Sequence, residues 1–369
     1  MTVQIDIPQN LRPADGRFGS GPAKVRREAL EYLLARADVM GTSHRQAPVR
    51  GLVQELQEAL SDLYRLPEGY EVTLGNGGAT AFWDVAVFSL IAERSAHGVF
   101  GEFSRKFSTA SAKAPFLGDP RVFEAPPGSV ALPKDCDADT YCWAQNETST
   151  GASAPVRRIG DGLVLVDATS AAGGIDADIA STDAYYFAPQ KNFSSDGGMW
   201  FAFLSPAAVE RAESIAAGGR WIPDFLDLSS AIKNSRQHQS VNTPAIATLL
   251  MMADQVRWMQ SLGGMPAVAA RCASSTSIVY DWAEQRDWAT PFVANPEHRS
   301  PVVATIDLDD TVDAKQVSAI LRENGIVDVD PYRALNRNQL RIGCYAAVDP
   351  SDVEKLVACI DHVVERLAP

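Results

Sequence analysis

Between residues 47 and 64 apolar side chains recur at Val49, Leu52, Val53, Leu56, Leu60 and Leu63, the three-and-four spacing of one helical face, with Pro48 acceptable in a first turn. The pattern predicts an amphipathic helix that stops before Pro67. It then changes character: Glu71 to Leu74 reads as a short strand, Gly75-Asn76-Gly77-Gly78 breaks it, and residues 79–92 resume as an apolar helix. That is a strand, a glycine loop and a helix. Six further runs, at 97–100, 121–124, 140–144, 163–167, 184–187 and 200–204, read as strands. Their near-continuous apolar character suits a parallel sheet covered by helices on both faces.

Past residue 240 the pattern turns to longer helices. Thr243 is placed to cap a helix with Pro244 at its first position, running to about residue 261 before Gly263-Gly264 ends it. Residues 266–285 are helical again. A strand at 302–306, a helix at 313–324, a strand at 339–344 and a helix at 350–367 then make a smaller α+β unit. The expected organisation is an N-terminal segment at 1–15, a larger α/β domain at 16–263 and a smaller C-terminal domain at 264–369. There is no internal repeat and no low-complexity tract.

A chain of 369 residues with 46% hydrophobic content is long enough for two cores. Its formal net charge of -13 repels nucleic-acid backbones, so an anionic metabolite would need a local basic pocket. The five cysteines, Cys136, Cys142, Cys272, Cys344 and Cys359, are scattered without the close pairs of a metal or redox motif, and read as reduced thiols. Neither a basic-then-apolar leader nor a membrane-length apolar run is visible, so the expectation is a cytoplasmic protein without a metal, a nucleic-acid partner or a membrane anchor.

The chemistry concentrates between residues 163 and 191. Asp167 closes an apolar strand, at the end where open α/β sheets place ligand groups. Lys191 follows the next strand through Ala188-Pro189-Gln190, so both residues fall in one crevice. A desolvated lysine gives up its proton more readily and can attack an aldehyde. A carboxylate opposite can keep a pyridine nitrogen protonated, which makes that ring an electron sink. Gly77-Gly78-Ala79-Thr80 opens a helix whose free amides can hold a phosphate. Phe103, just after a strand, can stack on an aromatic cofactor, and Thr148, in a polar strand end at 143–151, can donate to a ring hydroxyl.

Phe18-Gly19-Ser20-Gly21-Pro22-Ala23, Ser43-His44-Arg45, Asn146-Glu147-Thr148, Val166-Asp167-Ala168, Gln190-Lys191-Asn192 and Asn242-Thr243-Pro244, in that order, resemble the phosphoserine aminotransferases. This family has the fold type I architecture of pyridoxal-phosphate-dependent transferases: a large domain on a mostly parallel seven-stranded sheet and a smaller C-terminal α+β domain. The resemblance implies that Lys191 joins pyridoxal 5'-phosphate covalently and that Asp167 pairs with its ring nitrogen. Gly78, Ala79, Thr80 and Gln190 would then hold the phosphate, and Phe103 and Thr148 would meet the ring. Asn242 and Thr243 would reach the cofactor of a neighbouring subunit, which implies a homodimer with shared active sites.

His44 and Arg45 match the family's substrate-phosphate pair, and Arg341 its carboxylate-binding arginine, whose planar fork donates two parallel hydrogen bonds. Two departures stand out. Phe103 occupies a position where many relatives carry tryptophan, and the second His-Arg pair near the C-terminus is missing, leaving Arg333 or Arg337 to substitute. The implied reaction passes the amino group of L-glutamate to 3-phosphohydroxypyruvate, with the phosphorylated hydroxythreonine of cofactor synthesis as a further substrate. The competing readings are an aminotransferase for an unphosphorylated oxo acid such as glyoxylate and a non-catalytic cofactor-binding protein. A cysteine desulfurase is disfavoured, because no cysteine lies in a suitable loop.

Overall fold

The computed structural model describes residues 5–367; residues 1–4, where the expected N-terminal segment starts, and the last two residues of the expected small domain lie outside that range. Helices are α1 (Arg27–Ala35), α2 (Ala47–Tyr64), α3 (Ala79–Ser89), α4 (Glu102–Lys113), α5 (Pro206–Ala217), α6 (Leu228–Ser235), α7 (Ile246–Ser261), α8 (Met265–Glu284), α9 (Ala314–Glu323) and α10 (Pro350–Leu367). Strands are β1 (Glu71–Asn76), β2 (Ser95–Val99), β3 (Arg121–Glu124), β4 (Thr140–Ala144), β5 (Asn146–Glu147), β6 (Ala152–Ser153), β7 (Leu163–Asp167), β8 (Ala184–Phe187), β9 (Met199–Leu204), β10 (Ala289–Pro291), β11 (Val303–Leu308) and β12 (Gln339–Gly343).

Seven strands form one sheet in the order β1-β9-β8-β7-β4-β2-β3. All neighbours are parallel except those of β9, which runs antiparallel to both β1 and β8. Period-two alternation sends successive side chains to opposite faces. Val164 and Val166 join α2 and α7 in one core, while Leu163 and Leu165 join α3, α5 and α6 in another. Burial on both sides is what makes these strands continuously apolar.

A second, three-stranded antiparallel sheet, β10-β11-β12, carries its own core with α8, α9 and α10. Ile5, Ile7 and Phe18 are buried in that core, so the beginning of the chain packs with its end. Asn324 fixes the arrangement by accepting from the Ile7 amide at 2.9 Å and donating to the Ile5 carbonyl at 2.9 Å.

Several boundaries differ from expectation. The first strand continues to Asn76, so the glycine break is confined to residues 77–78, and the helix after it ends at Ser89 rather than residue 92. Thr243 does not cap α7: the helix begins at Ile246, after Ala245, with no side-chain cap. The Thr243 hydroxyl lies instead 3.2 Å from His44 Nδ1, and its carbonyl accepts from Asn76 Nδ2 at 2.8 Å.

Candidate active site

Strand register sets Ala144, Asp167 and Tyr186 abreast at the carboxyl ends of β4, β7 and β8. The strand order reverses about β2, between β3 and β4, and such a reversal opens a crevice beyond the strand ends. A cavity of about 310 Å³ lies there. Gly78, Ala79 and Thr80 line it from the start of α3, Phe103 from the first turn of α4 and Thr148 from the turn after β5, and Asp167, Gln190 and Lys191 complete it. The sequence-derived cofactor residues thus converge, with the exception of Asn242 and Thr243.

Lys191 is buried, and its Nζ donates to the Ser20 carbonyl at 3.1 Å, a carbonyl that also accepts from Tyr345 Oη at 2.6 Å. Burial brings the lysine down to about 8; Arg341 pushes the same way, and the negative charges of Asp167 and Glu147 oppose it. Gly21 runs beside the amine at φ +142°, and a Cβ there would sit 2.3 Å from Nζ, so only glycine lets the chain pass. Phe103 places its ring centroid 5.8 Å from Nζ.

Asp167 is equally enclosed. Its Oδ1 accepts from the Thr169 amide at 2.9 Å and its Oδ2 from the Trp83 indole Nε1–H at 2.9 Å. Desolvation raises its pKa, against the lowering effect of these hydrogen bonds and of the Lys191 charge. A second buried carboxylate, Glu147, sits at the start of α4. It accepts from the Phe103 amide at 3.2 Å, from the Ser104 amide and hydroxyl at 2.9 Å, and from the Ser149 hydroxyl at 2.8 Å. The helix has Gly101 at its N-cap with no side-chain cap of its own, and a Cβ there would meet Glu147 Cγ at 2.1 Å. Glu147 therefore caps α4 from outside, and with it fixes where Phe103 stands.

A second cavity, of about 570 Å³, shares Gly21 and Pro22 with the first and contains Arg341, Arg333 and Lys315. Arg341 rises from β12, opposite Thr305, donates to the Thr148 carbonyl at 3.2 Å and leaves Nε buried without a partner. Its guanidinium carbon lies 5.2 Å from the Tyr332 ring centroid, and Tyr332 in turn lies 6.0 Å from Phe103. Arg337 is turned elsewhere: it pairs with Asp307, Nε to Oδ1 at 3.0 Å, and lines neither cavity.

His44, Arg45, Asn242 and Thr243 form a separate group. Besides the His44–Thr243 contact, Arg45 bonds Asn234, Gln239 and the Val241 carbonyl. Asn76, which holds Thr243, lies two residues before Gly78, so this group borders the main cavity without lining it. Burial and the neighbouring Arg45 charge lower the His44 pKa, and His44 Nε2 is buried and unpartnered.

The cavity fits the expected cofactor. Asn146 Oδ1 and Gln190 Oε1 are buried without partners, and both residues line it, so a ligand with polar groups would satisfy them. A Cβ on Gly78 would meet nothing within 4 Å, leaving the first-turn amides of α3 open to an anion. Among the described residues no group of three or more His, Cys, Asp or Glu side chains could hold a metal ion, and no helix is long and apolar enough to cross a membrane. Sequence reasoning passed over Trp83, Lys315, Tyr332 and Tyr345, and quoted Glu147 only within the Asn146-Glu147-Thr148 motif, with no role of its own. Of the four, Trp83 carried a usable signal, standing three and four residues after Thr80 and Ala79 and so on the same helical face.

Residues 135–329 match the model of the aminotransferase class-V family. Over 374 residues the chain is 54% identical to a protein of Nocardioides sp. described as phosphoserine aminotransferase, covering 100% of both. Its fold is similar to the crystal structure of a phosphoserine aminotransferase from Cytophaga hutchinsonii, with a TM-score of 0.87 at 21% identity, covering 94% of this chain and 99% of that one. It is also similar to a phosphoserine aminotransferase with bound pyridoxal phosphate from Trichomonas vaginalis, with a TM-score of 0.81 at 20% identity, covering 94% and 99%.

Proposed function

The chain belongs to the class-V aminotransferases and, within them, to the phosphoserine aminotransferases, and from that premise we propose that it moves the amino group of L-glutamate onto 3-phosphohydroxypyruvate, yielding 2-oxoglutarate and O-phospho-L-serine. The fold is the type I architecture, and the cofactor is pyridoxal 5'-phosphate. One observation carries the reading: a buried amine, Lys191, and a buried carboxylate, Asp167, line a single cavity that ends at an open helix N-terminus.

When bound, the cofactor supplies an aldehyde for the amino group and a ring that takes up the electrons left at the substrate α-carbon. Lys191 would tether it through Nζ, an amine whose proton burial makes easier to lose. Once released, the same Nζ carries the proton to and from the substrate α-carbon. Asp167, ionised, holds the ring nitrogen protonated. The amides of Gly78, Ala79 and Thr80, with the Gln190 side chain, would hold the phosphate, and Phe103 and Thr148, which line the same cavity, would meet the ring.

Arg341 receives the substrate carboxylate, since it lines the outer cavity, which adjoins the first at Gly21 and Pro22, and its Nε is buried without a partner. Arg333, on the rim of the outer cavity, suits the distal anion better than Arg337, whose charge Asp307 already occupies. His44, Arg45, Asn242 and Thr243 lie together beside Asn76 but off the cavity, as expected if they serve the site of a second copy in a homodimer. The three-stranded sheet has a core of its own with the later turns of α8, α9 and α10, which supports a smaller body beside the larger cofactor-binding one, while Met265, Val268 and Cys272 at the start of α8 still pack in the larger core.

The experiment is a half-reaction. Adding glutamate to the holoprotein should bleach the aldehyde absorbance, and 3-phosphohydroxypyruvate should restore it, while hydroxypyruvate or glyoxylate should not. Restoration by the unphosphorylated acids alone would move the assignment to another oxo acid. Lys191→Ala should lose that absorbance and about 10²–10⁴-fold in turnover; an unchanged spectrum and rate would overturn the reading.

A further inference from the structure

We propose that Trp83 is a positioning residue for Asp167, its indole N–H fixing the carboxylate towards the cofactor's ring nitrogen. The inference rests on the role given to Asp167 above. A carboxylate has two oxygens with about four lone-pair directions. One is taken on Oδ1 by the Thr169 amide, from the chain just beyond β7, and one on Oδ2 by Trp83 Nε1, from α3. Two donors from different elements fix both the position and the plane of the group, which a single donor cannot do. The remaining directions are free for a ring N–H.

The indole is itself immobile. Trp83 is 4% exposed and stacks on Phe107 of α4, with ring centroids 6.3 Å apart and planes 14° from parallel. It stands on the same helix whose first turn offers Ala79 and Thr80 to the phosphate. A rigid cofactor has a fixed distance between its phosphate and its ring nitrogen. With Trp83 one turn further along, α3 sets both ends of that distance. A buried indole N–H needs some acceptor; here the acceptor is the cavity carboxylate itself, and the tryptophan lines the same cavity.

The hydrogen bond also acts on the protonation of Asp167. The groups around this carboxylate are Lys191 from the loop after β8, whose charge favours the ionised form, and Tyr185 and Tyr186 on β8, which burial keeps neutral. Burial disfavours the ionised form, and the donors from Thr169 and Trp83 counter it. Removing the Trp83 donor therefore raises the pH at which Asp167 takes up a proton.

The test uses full-length Trp83→Phe, Trp83→His, which retains a ring N–H, and Asp167→Asn as the reference. Three readouts are needed: pyridoxal phosphate affinity of the apoprotein by titration, the pH midpoint of the bound cofactor's absorbance, and kcat separated from KM. Trp83→Phe should weaken cofactor affinity about tenfold, move the acid-side midpoint up by about one unit and lower kcat about tenfold with KM for glutamate unchanged, the loss expected for one hydrogen bond to a charged group. Trp83→His should recover most of each. A folded Trp83→Phe protein with wild-type affinity and midpoint, beside a crippled Asp167→Asn, overturns the proposal and leaves the Asp167 assignment standing. If Asp167→Asn itself keeps wild-type affinity and turnover, the reading of the site is what fails. Should Trp83→Phe not fold, Trp83→His decides: near wild-type values support the bond, and a tenfold loss with an unmoved midpoint counts against it.

Discussion

Lys191 is stored as an amine of which about a tenth is already neutral at pH 7, because the protein withholds the water that would stabilise its charge. An ordinary lysine, at 10.5, would be almost wholly charged there. With the value lowered to about 8, the neutral fraction rises roughly tenfold from pH 7 to pH 9 and then levels off. The rate at which apoprotein captures pyridoxal phosphate should follow the same curve, seen as growth of cofactor absorbance after mixing; a rate still climbing tenfold per unit beyond pH 9 would contradict it. Lys191 and Asp167 were legible because each closes or follows an apolar strand, a position that says crevice without knowledge of the rest. Trp83 showed only its helical phase with Ala79 and Thr80, and Glu147 only its place in the Asn146-Glu147-Thr148 motif; the contacts that give them their roles were not legible. Their partners lie 84 and 43 residues away, and only the assembled sheet brings them into contact.

At the scale of elements, α4 shows why a pattern of apolar positions misses helices. Its buried face is made of Ser104, Phe107, Ser108 and Ser111, three of which are hydroxyls, so no apolar stripe announces it. Two of those serines sit in polar contacts that strand and helix share. His97 of β2 is fully buried, with Nε2 at 2.9 Å from Ser95 Oγ and 3.0 Å from Ser111 Oγ, and burial depresses its pKa to about 3. The folded state thus keeps His97 neutral while the unfolded chain takes up a proton near pH 6.5. Stability from this group is complete above that pH and is lost as pH falls towards 3, by at most about 1.4 kcal/mol per unit. His97→Gln should flatten the acid side of the stability curve, measured by urea unfolding between pH 4.5 and 7; an equally steep decline in both proteins would discount the group. The direction of β9 was illegible for a simpler reason. Met-Trp-Phe-Ala-Phe-Leu is buried throughout, and a uniformly apolar strand reads the same whichever way it runs.

For the whole molecule, the two groups of site residues make a statement about assembly. One chain gathers Lys191, Asp167 and Arg341 around its cavities and sets His44, Arg45, Asn242 and Thr243 beside them, off the cavity lining. If two copies exchange those groups, inactive Lys191→Ala and Arg45→Ala proteins should complement each other. Mixing and reassorting the subunits should regenerate about a quarter of wild-type activity, as random pairing of a twofold dimer gives one intact site in half the dimers. No recovery after subunit exchange, shown by mass spectrometry of tagged copies, would place the site within a single chain.

Ser20 offers its carbonyl to Lys191 and, across 325 residues of chain, to Tyr345. A peptide emerging from the ribosome therefore possesses the reactive lysine long before it possesses the frame around it. Tyr345 lies beyond β12, the last strand described, so a contact of this span makes completion of the pocket a late event in folding. A truncated or stalled product would carry an amine without the shelter that tunes it.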